Sequence, residues 1–155
     1  MEGQVVRKAR FRSNYERILD GKGRLSMPTK FREVFRQSGF DDVMITCVDG
    51  RCLRVYTLPE WERFEEELFA NKSDPRVATI VSAVNSHLVE CSLDKQGRIV
   101  LPAKSRDKVG IDKEVVLNGS ILYAEIWAKD AWEESESERD EVLKDKSILS
   151  KYNIL

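Results

Sequence analysis

The residues best suited to chemistry are two Asp–Arg pairs that occur at the same spacing in different parts of the chain. Asp20 precedes Arg24 by four residues, and Asp94 precedes Arg98 by four residues. A guanidinium can bind phosphate, and it can donate two hydrogen bonds to guanine in the major groove of DNA. It can equally brace its own turn by pairing with the nearby carboxylate. The residues alone leave both interpretations open.

An enzymatic role is the weakest hypothesis. Asp20 and Asp94 could serve as paired acids for hydrolysis if their loops converged, but a turn hydrogen bond or the neighbouring arginine explains each without catalysis. The single histidine, His87, supports no catalytic triad, and no glycine-rich loop is followed by Lys and Ser or Thr. We therefore expect no enzyme, no cofactor and no metal site, and interpret His87 as a structural or exposed imidazole.

The cysteines Cys47, Cys52 and Cys91 are odd in number and lack the Cys-x-x-Cys spacing of zinc sites. Free thiols, buried or partly buried in a reducing cytosol, are the expectation. The alternative is a disulfide from Cys47 to Cys52 across a hairpin. No apolar run approaches the roughly 20 residues of a membrane helix, so we expect a soluble intracellular protein without a membrane partner.

Charge is distributed unevenly along the 155 residues, although the net charge of −1 would at first argue against a nucleic-acid partner. Residues 1–39 contain ten Lys and Arg against four Asp and Glu, whereas residues 130–146 contain three against eight. The hydrophobic content of 41% is sufficient for a folded core. The length suits two half-size units that share one core.

Both Asp–Arg pairs lie in a stretch that the chain contains twice. Residues 19–32 read LDGKGRLSMPTKFR, and residues 93–106 read LDKQGRIVLPAKSR, so the copies align without a gap. In each copy, Asp and Gly predict a tight turn, the apolar run predicts a strand, and Pro predicts the start of a helix. Strands over 11–19 and 87–93 are expected to lead into the two copies.

The helices after the two prolines are expected to differ in length. The helix after Pro28 should pack one face inward and end at Gly39, whereas the helix after Pro102 should be shorter and end near Gly110. The inward face of the first helix is predicted from three residues at helical spacing: Phe31, Val34 and Phe35.

Each half then continues with a predicted hairpin and helix. The turns are predicted at Asp49-Gly50 and at Asn118-Gly119, because each dipeptide separates two β-prone runs. Helices are expected from Leu58 and over 129–143. In the first, the aromatic residues should be core and not a base-stacking platform, because the surrounding glutamates would repel phosphate.

A second similarity links the two halves. Trp132 follows Trp127 by five residues, just as Trp61 follows Tyr56. This spacing predicts the same packing role in both halves.

At the repeated residues, the sequence resembles the MraZ family of bacterial transcriptional regulators, which carry two AbrB/SpoVT-like domains. The resemblance rests on Leu-Asp-x-x-Gly-Arg-apolar-x-apolar-Pro-x-Lys, present twice, and on Asn14-Tyr15-Glu16 before the first copy. It extends from about Phe11 to about Trp132, and the segments outside those limits inherit no role from it.

This resemblance implies an α+β fold in which two pseudo-symmetric AbrB/SpoVT-like repeats, of the double-split β-barrel type, interlock in one chain. Residues 1–10 are expected to be a flexible extension, which is either a basic DNA-binding arm or an addition without a role. The other expected segments are the first repeat over 11–71, a linker with a helix over 72–86, the second repeat over 87–134, and an acidic helix end and tail over 135–155.

The resemblance also favours DNA over simple turn bracing. It implies a sequence-specific regulator, usually a repressor, of the division and cell-wall gene cluster, located in the cytoplasm and nucleoid. The predicted partners are double-stranded DNA and further copies of the chain, which would form a closed ring on repeated short DNA elements. The predicted DNA-binding residues are Lys22, Arg24, Lys30, Lys95, Arg98 and Lys104, and the predicted structural motif residues are Asp20, Gly23, Asp94 and Gly97.

An alternative is an antitoxin-like or other protein-interaction module, because AbrB-like folds also occur in antitoxins. Such proteins usually carry one copy of the unit and a long disordered tail. The duplicated unit and the short tail of this chain disfavour that alternative.

Overall fold

The repeated stretch sets the order of the secondary-structure elements. A computed structural model of the chain describes residues 7–155. The first half and its connecting helix comprise β1 (Asn14–Ile18), β2 (Arg24–Ser26), α1 (Thr29–Ser38), β3 (Asp42–Cys47), β4 (Leu53–Thr57), α2 (Leu58–Ala70) and α3 (Pro75–Ser86). The second half comprises β5 (Val89–Ser92), β6 (Arg98–Val100), α4 (Ala103–Lys108), β7 (Glu114–Gly119), β8 (Ala124–Ala128), α5 (Lys129–Glu134), α6 (Glu136–Lys144) and α7 (Lys146–Lys151). The fold is therefore α+β.

Strands of the two halves pair with one another. A six-stranded antiparallel sheet has the order β1-β7-β8-β4-β3-β5, and β2 and β6 form a separate two-stranded antiparallel sheet, here called the ribbon. Strand β1 pairs with β7 of the second half, and β5 pairs with β3 of the first half. Each half thus contributes an edge strand that pairs with a strand of the other half.

A pseudo-twofold axis relates the halves. In the ribbon, Leu25 pairs with Ile99, which is the equivalent residue of the second copy. In the large sheet, Arg54 pairs with Glu125, and each is the second residue of its strand, in β4 and β8 respectively. Because equivalent residues face each other in both places, the axis passes through both pairs.

The main core contains side chains from the ribbon, from α1 and from one face of the sheet. Phe11 makes edge-to-face contacts with Phe31 and Phe35, with ring centroids 5.1 Å and 5.7 Å apart. Leu25 and Ile99 are fully buried below the ribbon. The predicted inward face of α1 is confirmed, with Phe31 and Phe35 buried and Val34 packed against the same core.

Two smaller clusters lie apart from this core. Tyr56 contacts Trp61 with ring centroids 5.4 Å apart, and Trp127 contacts Trp132 at 5.7 Å. The predicted equivalence of these two aromatic pairs is confirmed. Phe64 stacks on Tyr56, so the aromatic face of α2 packs inward, as expected.

Gly39 and Gly50 lie at the helix end and in the hairpin turn that the sequence predicts, and an aspartate caps the start of α3. Gly39 closes α1 in the left-handed conformation, with φ of 83° and a hydrogen bond from its N–H to the Arg36 carbonyl. Gly50 has φ of 78° at the tip of the β3–β4 hairpin, which confirms that turn. Asp74 caps α3 by accepting a hydrogen bond from the Arg76 N–H.

The prediction of a turn at Asn118-Gly119 is wrong, because both residues lie within β7. The turn follows them, and Ile121 adopts φ of 68° there. Gly119 is required for another reason: a Cβ atom at this position would overlap the backbone of Phe11. The glycine allows the chain before β1 to approach the strand closely.

The predicted helix over 129–143 is interrupted at Ser135, which separates α5 from α6. The buried Ser135 hydroxyl donates to the Trp132 carbonyl at 2.8 Å, and Arg139 donates to the same hydroxyl at 2.6 Å. A serine hydroxyl that bonds back to the preceding turn competes with the helical pattern. This competition explains the interruption.

The remaining boundaries differ by a few residues. The first strand begins at Asn14, not at Phe11, because Phe11 makes only an isolated bridge with Ile121. His87 ends α3, and the strand predicted from it begins at Val89.

The three thiols are free, which confirms the expectation and excludes the bridge between Cys47 and Cys52. Burial raises the pKa of Cys52, and it raises the pKa of Cys91 to about 11, so these thiols stay protonated near neutral pH. Among residues 7–155, no helix has the length and apolar character needed to cross a membrane.

Gly119→Ala is expected to destabilise the fold by about 1–3 kcal/mol, because the new methyl group would overlap the Phe11 backbone. Gly21→Ala is the matched control, since no atom lies within 4 Å of the position of its Cβ. Urea unfolding of both variants measures the difference. Equal stabilities would contradict the close approach.

Candidate nucleic-acid interface

The turn before β2 is organised by Asp20. One carboxylate oxygen accepts hydrogen bonds from the backbone N–H groups of Lys22 and Arg24, both at 2.9 Å. The other accepts a hydrogen bond from Nε of Arg24. Gly23 closes the turn with φ of 75°, and its N–H donates to the Asp20 carbonyl. These contacts hold the pKa of Asp20 at about 2, below its ordinary value of 3.8, chiefly through the backbone N–H of Arg24.

The turn before β6 repeats this arrangement. Asp94 accepts from the N–H groups of Gln96 at 2.8 Å and Arg98 at 2.9 Å, and from Nε of Arg98 at 3.0 Å. Gly97 has φ of 74°. The N–H of Arg98 and then its guanidinium lower the pKa of Asp94. Both carboxylates therefore brace their arginines, as the four-residue spacing indicates.

The two braced arginines project from the same face of the ribbon. Arg24 pairs with Val100 and Ser26 pairs with Arg98, whereas the intervening Leu25 and Ile99 point into the core. Arg24 and Arg98 are thus diagonal neighbours, with backbone positions separated by about 7–8 Å. The ribbon therefore carries both arginines on its outer face, where 34% of the Arg24 side chain and 28% of the Arg98 side chain are exposed.

The bracing leaves the outer end of each guanidinium available. In the described part of the chain, each of these arginines hydrogen-bonds its carboxylate through Nε alone. Within residues 7–155, the terminal nitrogens of these two arginines donate no hydrogen bond. Each guanidinium is therefore held by one nitrogen, and its two terminal nitrogens remain available for a bidentate hydrogen bond.

The four predicted lysines are exposed around the ribbon. Lys22 and Lys95 lie in the two turns, which occupy opposite ends of the ribbon because the strands are antiparallel. Lys30 and Lys104 lie in the first turns of α1 and α4. The two turns are not identical, because Gln96 stands where the first copy has Lys22.

Each turn also contacts the opposite repeat. The Gly23 carbonyl accepts a hydrogen bond from Leu101 N–H at 2.8 Å, and the Gly97 carbonyl accepts one from Met27 N–H at 2.9 Å. A Cβ on Gly23 would lie 2.9 Å from the Leu101 carbonyl oxygen, so the close approach requires glycine.

Sequence reasoning missed two further arginines at this site. Nε of Arg32 donates to the Met27 carbonyl, and Nε of Arg106 donates to the Leu101 carbonyl, both at 3.1 Å. Arg32 packs over Gly97, and Arg106 approaches Gly23. The sequence did contain a signal for them, because Arg32 and Arg106 occupy equivalent positions at the ends of the two copies. Each extends the positive charge beside the opposite turn.

Metal binding and hydrolysis by paired acids have little support in the described part of the chain. No three His, Cys, Asp or Glu side chains of residues 7–155 gather into a metal-binding group. Asp20 and Asp94 are each occupied by their own turn and arginine.

The fold and the site define a class: a duplicated α+β protein whose repeats exchange strands and present paired, carboxylate-braced arginines on a shared ribbon. The chain belongs to the MraZ family. The family model described as "MraZ protein, putative antitoxin-like" matches residues 11–81 and 85–147.

The matches to curated relatives cover most of this chain and most of each relative. The chain is 34% identical to the transcriptional regulator MraZ of Desulforapulum autotrophicum over 138 residues, which are 89% of this chain and 93% of the relative. It is 37% identical to that of Thioalkalivibrio sulfidiphilus, over 88% and 94% of the two chains. It is 41% identical to that of Pediococcus pentosaceus, over 84% and 90%.

The lowered pKa of Asp20 predicts a pH dependence of stability. Because the folded-state pKa is about 2 and the ordinary value is 3.8, the carboxylate stabilises the fold above about pH 4, and this contribution is lost as the pH falls toward 2. Melting temperatures of Asp20→Asn should therefore change less between pH 4 and pH 2 than those of the wild type. The exposed Asp112→Asn, as control, should follow the wild type, and identical slopes for all three proteins would contradict the bracing.

Proposed function

We propose that this protein is a sequence-specific DNA-binding transcription regulator and that the ribbon is its DNA-contacting surface. The observation that carries the proposal is the placement of Arg24 and Arg98 on one solvent face, each held through Nε with its terminal nitrogens unbonded within the described chain. The major groove of B-DNA accommodates a two-stranded β-ribbon, and arginine binds guanine O6 and N7 through two such nitrogens. Lys22, Lys30, Lys95 and Lys104 would contact phosphates on either side.

The proposed framework is an AbrB/SpoVT-like double-split β-barrel formed by two interlocked repeats. The exchange of β1 and β5 between the halves supports it, as does the pseudo-twofold axis through Leu25 and Ile99. The proposed boundaries are an N-terminal extension over 1–10, repeats over 11–71 and 87–134, a linker over 72–86, and a terminal segment over 135–155.

Family membership supports the proposed biological role. Relatives bear the name transcriptional regulator MraZ, and family resemblance supports repression of the division and cell-wall gene cluster by a protein of the cytoplasm and nucleoid. We propose no catalytic activity. A footprint on the DNA upstream of the gene for this protein tests the target, and protection confined to unrelated DNA would contradict it.

An antitoxin-like function without an operator is the alternative, and the description of the matching family model includes that term. Such antitoxins occupy their partner with an extended tail. Here residues 136–151 form two helices, α6 and α7, and Leu149 is buried. The helical structure of this segment favours the regulator.

We propose further that the chain assembles into a closed ring. Two apolar surfaces on different elements support this assembly. A groove of about 690 Å³ between α2 and α3 exposes Phe69 at 65% and is rimmed by Glu62, Glu65 and Glu66. A second surface on the last helices, which we call the tail surface, exposes apolar side chains between lysines. Its exposed apolar residues are Val142, Leu143, Ile148, Tyr152, Ile154 and Leu155.

These two surfaces complement each other in charge. The tail surface carries three lysines, Lys144, Lys146 and Lys151, against one carboxylate, Asp145, whereas three glutamates and one lysine line the groove. An interface between two different patches of one chain is head-to-tail, and it closes into a ring when the rotation permits. A ring would multiply the weak contacts of each ribbon on repeated DNA elements.

Arg24→Ala and Arg98→Ala should each weaken specific DNA binding by about 1–3 kcal/mol for every bidentate base interaction that the substitution removes. Fluorescence anisotropy with an operator duplex measures the affinity, and thermal melting reports the fold. Asp20→Ala and Asp94→Ala are the matched variants, because they remove the brace but keep the guanidinium. Unchanged affinity with a lowered melting temperature for the arginine variants would make these arginines scaffold residues only.

Light scattering should give a mass larger than that of a dimer for the wild-type chain. Phe69→Asp in the groove and Leu143→Asp with Ile154→Asp on the tail surface should each prevent assembly, since each buries a charge in the apolar contact. An equimolar mixture of the two variants should yield a dimer, because one intact groove and one intact tail surface remain. Two variants that stay monomeric when mixed would contradict the head-to-tail interface, and a monomeric wild type would contradict the ring.

A further inference from the structure

The segment from Arg7 to Ser13, which we call the arm, is attached to α1 and to the sheet. The side-chain amide of Gln37 donates to the Arg7 carbonyl at 3.0 Å and accepts from the Ala9 N–H at 2.7 Å. Phe11 exchanges two backbone hydrogen bonds with Ile121, at 3.0 Å and 2.9 Å, and its side chain is buried. Both ends of the arm are therefore fixed to the fold by specific contacts.

The attached arm forms a cavity of about 490 Å³ against α1, and the walls of this arm cavity are strongly basic. Its five cations are Arg7, Lys8, Arg10, Arg12 and Lys30. The one carboxylate in the wall, Glu33, is paired with Arg36. The arm cavity therefore has excess positive charge, which requires an anionic partner or solvent.

The position of Lys30 connects the arm cavity to the ribbon. Lys30 lies in the first turn of α1, shortly after Arg24 in the chain, and this first turn contains no acidic residue. Three cations of the arm, Arg7, Lys8 and Arg10, precede residue 11, where the family match begins. These three are therefore additional to the repeated motif.

We propose that the arm cavity binds backbone phosphates of duplex DNA next to the segment that the ribbon contacts. This inference rests on the proposed DNA-binding function. The arm supplies charge without a defined donor pattern for bases, so it adds affinity and not sequence preference. Gln37 positions the arm for this contact before DNA arrives, which reduces the ordering cost of binding.

Salt titration tests the proposal on the full-length chain. Each phosphate contact contributes about 0.9 to the slope of log K against log salt concentration. The triple variant Arg7→Gln, Lys8→Gln, Arg12→Gln should therefore have a slope shallower by up to about 2.7, while the ratio of operator to random-sequence affinity stays at the wild-type value. The matched control is Arg63→Gln, Arg76→Gln, Lys113→Gln, which removes three exposed cations outside the arm, the ribbon, the groove lining and the tail surface, and should retain the slope.

The variant Gln37→Ala keeps every charge but releases the arm from α1. It should bind DNA several-fold more weakly than the wild type with a nearly unchanged salt slope. A triple variant with the wild-type slope, or a Gln37→Ala variant with the wild-type affinity, would overturn the arm contact and leave the ribbon proposal intact. Failure of the wild-type chain to bind any duplex would overturn both.

Discussion

The hydrogen bond between each turn glycine and the other repeat is the constraint on which the proposed DNA-binding surface depends. Gly23 accepts from Leu101, and Gly97 accepts from Met27, at distances that leave little room for a side chain on either glycine. These bonds tie the two turns to the two ends of the ribbon. Since each repeat supplies only one ribbon strand, a single repeat presents one arginine on an unpaired edge. Duplication within the chain makes the pairing of β2 with β6 intramolecular, so the surface exists at any protein concentration.

Features that depend on near neighbours could be predicted from the sequence. The Asp–Arg brace spans four residues, and the left-handed glycine that ends α1 follows its apolar face directly. The internal repeat added more, because its gapless alignment relates Arg24 to Arg98 and predicts equivalent surroundings for both. Local hydrogen-bonding chemistry and the duplication together indicated the two turns and their cations, whereas the family resemblance implied the fold class.

Features that depend on distant contacts could not be predicted. Gly119 resembles a turn residue beside Asn118, but its role is set by Phe11, near the other end of the chain. Strand exchange between the halves likewise leaves no mark in any local window, and only the family resemblance implied interlocked repeats. The attachment of the arm through Gln37 depends on an amide that is unremarkable on an exposed helix face. In each case, tertiary contacts decide between conformations that the local sequence permits equally.

The backbone of the ribbon is nearly symmetric, but its outward side chains are not. Ser26 and Val100 occupy equivalent positions on the arginine-bearing face, and Val100 is 53% exposed. Arg24 therefore has an isopropyl group as its cross-strand neighbour, whereas Arg98 has a hydroxyl group. These groups differ in the base edges they suit, since the first can contact a thymine methyl and the second can hydrogen bond. The two ends of this face are therefore chemically different. If a duplex on this face were rotated by half a turn about the pseudo-twofold axis, it would not make the same contacts. Subunits joined head to tail would all point the same way along the DNA, which matches tandem direct repeats and not inverted ones.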